Sequence, residues 1–181
     1  MIIVLLAVVA AAGILLFSSK EWGPKLAGVA AGIAVLYAGY QVRLTRALAK
    51  RALAYQYFER FSRYSLETPY EVAKAFAFPP PSDKAQAQER WDEFKTWEKQ
   101  DQSKVRDIMF IFNFFEELGG VYKHGAGDRQ VIDEYLGKFA LEFWNHLHWF
   151  ICRIRKDRTA TLFEDWEAMC KAVERARRLR G

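Results

Sequence analysis

Three histidines and two cysteines, His124, His146, His148, Cys152 and Cys170, are the first side chains to weigh for metal or nucleophile chemistry. Seventeen residues separate Cys152 from Cys170, on different expected helices, and the pair reads as free, buried thiols without metal-ligand spacing. His146 and His148 stand two apart. On a helix that turns them about 200° from each other, so they cannot share an ion. Glu142 and His146 stand four apart and could share one, with Glu116 or Glu117 on a neighbouring helix completing the set. Carboxylate bundles use repeated Glu-x-x-His pairs, and this chain has none. The reading is no metal and no cofactor, with His146 a core-edge residue among Phe139, Phe143 and Phe150. A phosphate loop, a dinucleotide fingerprint and a nucleophile elbow are also missing, and Gly125-x-Gly127 is a loop.

One constellation stands out from ordinary helix. In Ile108–Gly120, Asn113 and Glu116 sit one turn apart amid Phe110, Ile111, Phe112, Phe114, Phe115 and Leu118. A helix so apolar should be nearly surrounded by protein, so both polar groups need partners. Arg153 and Arg155 near the far end of the next long helix are the expected ones, with Arg106 as an alternative for Glu117. The arrangement reads either as a buried latch fixing helix register or as a ligand-contacting pair.

The elements that must position these residues are helical. From Trp91 the series Trp91, Phe94, Val105, Ile108, Phe112, Phe115 keeps helical spacing. It predicts one long helix, or two abutting near Gln100–Ser103, ending at Gly119-Gly120. Ser82 or Asp83 can cap its start. Asp128 can cap a further helix that buries Ile132, Leu136, Phe139, Phe143, Leu147, Phe150 and Ile154 and runs to about Asp157. Thr161-x-x-Glu164 reads as a capping box for another helix, with Leu162, Trp166, Met169 and Val173 inward. Pro69 marks a break, a short helix covers Tyr70–Phe76, and Phe78-Pro79-Pro80-Pro81 is extended, the clearest hinge of the chain. No stretch alternates with period two. The fold class is all-α, a cytoplasmic bundle of four or five helices behind an N-terminal two-helix transmembrane hairpin.

The hairpin follows from composition. The chain has 181 residues, 51% hydrophobic and 27% charged, but only Lys20, Glu21 and Lys25 are charged within residues 1–42. That split excludes a wholly soluble globule, a disordered chain and a secreted disulfide scaffold. Ile2–Phe17 is an unbroken apolar run and Leu26–Val42 is apolar but for Gln41, each covering ~24–26 Å as a helix, close to a hydrocarbon core of ~30 Å. A basic n-region is missing, so the first run reads as an anchor rather than a cleaved signal. Arg43, Arg46, Lys50 and Arg51 follow the second run with no acid among them, which places both termini in the cytoplasm and these cations at anionic headgroups. Small residues at four-residue spacing, Gly28 and Gly32 above all, suit close helix packing within the hairpin or between copies. The resulting layout is hairpin 1–42, juxtamembrane helix 43–68 continuing the second span, hinge 69–83 and cytoplasmic helical domain 84–181.

Phe112-Asn113-Phe114-Phe115-Glu116-Glu117-Leu118-Gly119 resembles the signature of a bacterial family known only as a domain of unknown function. Its apolar–Asn–aromatic–x–Glu helix is followed by a Gly turn, an Asp-led helix with Trp and Arg, and a Phe-Glu segment. The matching positions are Asp133, Phe139, Trp144, Ile151, Arg155 and Phe163-Glu164, so the likeness spans roughly Val105–Met169. The resemblance implies one or two N-terminal membrane helices. It implies no activity.

These readings favour a membrane-anchored, non-enzymatic interaction or sensing module at the cytoplasmic face of a bacterial inner membrane, forming a homo-oligomer. Trp91, Trp97 and Trp149 are expected to be available to a protein partner. The alternatives are a membrane-perturbing effector of a defence or toxin system and a lipid- or nucleotide-directed enzyme using Glu116, Glu142 and His146. A net charge of +5 is modest, and the aromatics keep core spacing rather than forming a base-stacking platform, which argues against nucleic acid. A small nucleotide in a helical pocket stays open.

Overall fold

The computed structural model describes residues 23–65 and 67–180. The run Ile2–Phe17 lies outside the described residues, and with it the first arm of the expected hairpin. Among the described residues the chain is all-α, with no strand. Its seven helices are α1 (Gly23–Tyr64), α2 (Thr68–Ala77), α3 (Lys84–Gln100), α4 (Gln102–Lys123), α5 (Arg129–Tyr135), α6 (Gly137–Asp157) and α7 (Glu164–Arg180). The chain divides into two units, Met1–Leu48 and Ala49–Gly181.

In the first unit α1 is long and apolar enough to cross a membrane, counted from Ala27, and the rest of the chain buries none of its most apolar stretch. Val29, Ile33, Val35 and Leu36 are each more than half exposed. Apolar area left in water costs about 25 cal/mol per Å², so such a face calls for an apolar surrounding.

The second unit is a packed bundle. Ala54, Tyr57 and Phe61 recur at spacings of three and four, and all three are buried. α2 begins at Thr68 because Pro69 falls in its first turn, where a missing N–H is tolerated. The short helix expected over Tyr70–Phe76 is thus α2, and residues 78–83, with the three prolines, link it to α3. That link is held down as well. Phe78 packs on His146 with ring centroids 4.1 Å apart, and Arg90 Nη1 donates to the carbonyl of Phe76 at 2.9 Å.

α4 is the central element, packed by α2, α3 and α7. Of the two readings of its start, the abutting pair is the one observed. Asp101 ends α3, and its side chain accepts from the amide of Lys104 in the first turn of α4. Asp83 caps α3 by accepting from Gln86 N at 2.9 Å, and Asp128 caps α5 by accepting from Gln130 N and Val131 N. α4 does not stop at Gly119-Gly120 but continues to Lys123. A Cβ on Gly119 would lie 2.4 Å from the backbone carbonyl of Asp165, so this glycine permits a close helix approach.

The helix expected from Asp128 to Asp157 is interrupted at Leu136, giving α5 and α6. Its core positions are buried as anticipated, except that Phe139 is half-buried. α7 starts at Glu164, one residue after Phe163 with its positive φ of 61°. Thr161 thus stands in the preceding turn and not at the cap. Trp166, Phe94, Phe112, Phe114, Phe115 and Phe150 are the largest fully buried side chains. The fold also claims the tryptophans expected to be free: Trp91 is buried, and Trp97 and Trp149 are half-buried against the core.

Candidate functional site

Glu116 lies on the side of α4 that meets the start of α7. Its Oε2 accepts from Trp166 N at 2.9 Å, and its Oε1 accepts from Asp165 N at 3.3 Å. A helix leaves its first amides without internal partners, and a carboxylate there gains from both the bonds and the helix dipole. Glu116 therefore caps α7 from fifty residues away in sequence. Lys123 Nζ holds Asp165 at 2.6 Å, and Arg155 Nη1 holds Glu167 at 2.8 Å while its Nε donates to Leu162 O. Lys171 first, then Arg155, holds the Glu167 carboxyl below the usual carboxylate range against the opposing pull of burial.

The predicted partnership is only half present. Glu116 is half-buried and latched, but to backbone amides rather than to arginines. Asn113 is exposed, on the stripe it shares with Glu117 one turn later, so it needs no internal partner. Arg155 serves α7. Arg153 is exposed, donates from Nη2 to Gln88 Oε1 at 2.7 Å, and sits with its Cζ 5.6 Å from the Trp91 ring centroid.

A second polar cluster joins α1 to α4. Tyr57 donates its hydroxyl proton to Glu117 Oε1 at 2.8 Å, and Arg60 Nη1 donates to Glu117 Oε2 at the same distance. Burial, then the Glu117 bond, pushes the Tyr57 hydroxyl up to about 12. Burial would raise Glu117, but the bonds from Tyr57 and Arg60 outweigh it and hold the carboxyl below its ordinary value. Sequence reasoning paired Glu117 with Arg106 and missed this cluster, because nothing local links Tyr57 to a residue sixty positions on.

His146 Nδ1 lies 2.7 Å from the carbonyl of Glu142, so Glu142 meets His146 through its backbone. Among the described residues no hydrogen bond or ion pair joins Glu116 to either of them, and no group of three His, Cys, Asp or Glu side chains could hold a metal. Cys170 is buried and its thiol is pushed up to about 12, by burial first. Cys152 is only half-buried, with Sγ 3.6 Å from His148 Nε2. Their spacing of four was legible in the sequence and was overlooked in favour of Glu142 and His146.

Of the four cations expected at a membrane surface, Arg43, Arg46 and Lys50 are exposed and in no ion pair among the described residues. Arg51 is drawn into the bundle by Asp128, Nε to Oδ2 at 3.1 Å. Added Cβ atoms on Gly28 and Gly32 would meet nothing within 4 Å.

The fold and these sites define an aromatic-rich α-bundle preceded by an exposed apolar helix. The chain matches the family described as a domain of unknown function, DUF4760, over residues 28–173, and it belongs to that family. The match takes in the Phe112–Gly119 motif and reaches well beyond it at both ends. No curated protein and no solved structure matches the chain.

Proposed function

We propose that the chain is a membrane-anchored, non-enzymatic module that senses or binds a partner at the cytoplasmic face of a bacterial inner membrane. The observation that carries this reading is the exposed apolar face of α1, followed directly by Arg43, Arg46 and Lys50 with no acidic partner. Lipid satisfies the apolar face, and anionic headgroups satisfy the cations. The composition of Ile2–Phe17 supports a second span, making the membrane part a hairpin with both ends cytoplasmic. Gly28 and Gly32, with open space around them, suit close packing between copies and hence a homo-oligomer.

Fractionation of the full chain tests this directly. The protein should pellet with membranes, resist a carbonate wash and yield discrete multimers on cross-linking. A monodisperse chain in the supernatant of a detergent-free lysate would overturn the reading.

The same open glycine stripe favours a second reading, a membrane-perturbing effector whose helices assemble on demand. Induced expression with a potential-sensitive dye separates the two. Depolarisation on induction or phage challenge supports the effector, and undisturbed polarisation in both conditions removes it.

A further inference from the structure

The face where α3 meets α6 holds a hollow of about 410 Å³ lined by Lys84, Ala87, Gln88, Trp149 and Arg153. Lys84, Ala87 and Gln88 are spaced by three and four on α3, and Trp149 and Arg153 by four on α6, so each helix gives one stripe to its wall. A volume of this size falls at the small end of ordinary ligand pockets, which run from about 300 to 1,000 Å³. Its chemistry is one-sided. The lining holds two cations and no acid, and neither Lys84 nor Arg153 forms an ion pair among the described residues, although Asp157, held down by Lys95 first, also feels Arg153 one turn away. The first turn of α3 carries no acid beyond its cap, Asp83.

Arg153 is already oriented for a ligand. Gln88 Oε1 fixes one Nη2 hydrogen at 2.7 Å, and the buried Trp91 ring lies beneath the guanidinium. Its remaining donors match an oxyanion, to which a guanidinium can give two parallel bonds. Trp149 packs on Phe76 and Phe150, with centroids at 5.9 and 5.7 Å, and stays half-exposed, so its indole is a rigid wall. Its Nε1 is buried without a hydrogen-bond partner, a donor the fold itself leaves unused.

We infer that this hollow binds a small phosphorylated compound carrying a flat ring, of the size of a nucleoside monophosphate. The phosphate lies between Lys84 and Arg153, and the ring lies against Trp149. The site would give the sensing reading its ligand. Binding is measured independently of membrane partition, so failure of one leaves the other standing.

The test is calorimetric titration of the full chain, in detergent micelles, with adenosine monophosphate, adenosine, glycerol phosphate and inorganic phosphate. The monophosphate should bind at one site per chain and more tightly than the other three. Lys84→Gln and Arg153→Gln should each weaken it about ten-fold, the loss of one charge-assisted bond. Arg153→Lys, keeping charge but not the fork, should fall between. Because Arg153 also touches Trp91, Lys84→Gln is the decisive variant, with the helical spectrum unchanged. Absence of binding at millimolar monophosphate, or full affinity in Lys84→Gln, would overturn the site. Glycerol phosphate or inorganic phosphate binding as tightly as the nucleotide would overturn the ring-binding half and point to a headgroup or a free anion.

Discussion

Glu116 and Trp166 are joined by a hydrogen bond of 2.9 Å from the Trp166 amide to the Glu116 carboxylate, so a side chain of α4 supplies the cap that α7 lacks in its own sequence. The start of α7 is held around that bond: Asp165 shares the same carboxylate, and Lys123 of α4 and Arg155 of α6 fix Asp165 and Glu167 beside it. The polar latch and the close approach at Gly119 are one construction, since Gly119 lies one turn beyond Glu116 on α4 and faces the Asp165 carbonyl and the Trp166 amide.

Glu116→Ala should lower stability by about 1–2 kcal/mol, the usual loss when a helix cap is removed. In a chain of this size that is a few degrees in melting temperature. Glu116→Gln retains an oxygen acceptor and should lose less. Thermal unfolding followed by circular dichroism in detergent checks both, and equal melting of Glu116→Ala and the parent chain would show the bond to be idle.

Gly119→Ala should be more damaging than its chemistry suggests. Alanine gains about 1 kcal/mol in helix propensity, yet its Cβ would sit 2.4 Å from the Asp165 backbone, and backbone cannot move aside as a side-chain tip can. A net loss of about 2–3 kcal/mol follows from such overpacking. Gly32→Ala, with open space around it, should leave the melting of the bundle unchanged. The pair of melts is the measurement.

Alkaline stability should depend on Tyr57. Its hydroxyl is pushed from 10.0 up to about 12, so over that window the unfolded chain loses a proton that the folded chain keeps. The stabilisation is fully present below pH 10 and is lost as pH rises through about 12. Tyr57→Phe should therefore make the stability curve shallower between those values, besides losing one hydrogen bond near neutrality. Glu117 acts with the opposite sign, because its lowered value makes a contribution that disappears as pH falls below the ordinary carboxylate range. Urea melts across the two limbs give both slopes.

The two thiols should react in sequence. Cys152 is half-buried on α6, whereas Cys170 is 2% exposed and donates toward the Ala140 carbonyl at 3.6 Å. A maleimide should modify one thiol per native chain at neutral pH and two after denaturation. Cys152→Ser should abolish the fast phase, as read by intact mass.

The apolar series that keeps helical spacing, from Trp91 through Phe115 and from Ile132 through Ile154, is also the series that is buried, with Val105 and Phe139 half-buried, because period 3.6 records the side of a helix facing the core. Asp83 and Asp128 were legible as caps for the same local reason. Glu116 was legible as a polar group in need of a partner, but not the partner itself, since backbone amides leave no mark on sequence. Asn113 looked equally confined, yet it lies on the single open stripe of α4, and that stripe is set by which helices happen to surround it. Gly119 read as a stop because a close approach and a helix end call for the same residue. Lys84 and Gln88 gave no signal at all, and Arg153 read as a partner for Asn113 and Glu116 rather than as a wall of the hollow. Their meeting depends on the crossing of α3 and α6.

The capping of α7 by a carboxylate made fifty residues earlier sets an order for biosynthesis. Until α7 is made, Phe112 and Glu116 lack the Trp166 they meet in the finished bundle, although α1 already offers Phe61 to Phe115. An apolar surface of that kind on a nascent chain attracts holdases. The bundle therefore closes fully only once α7 has been translated.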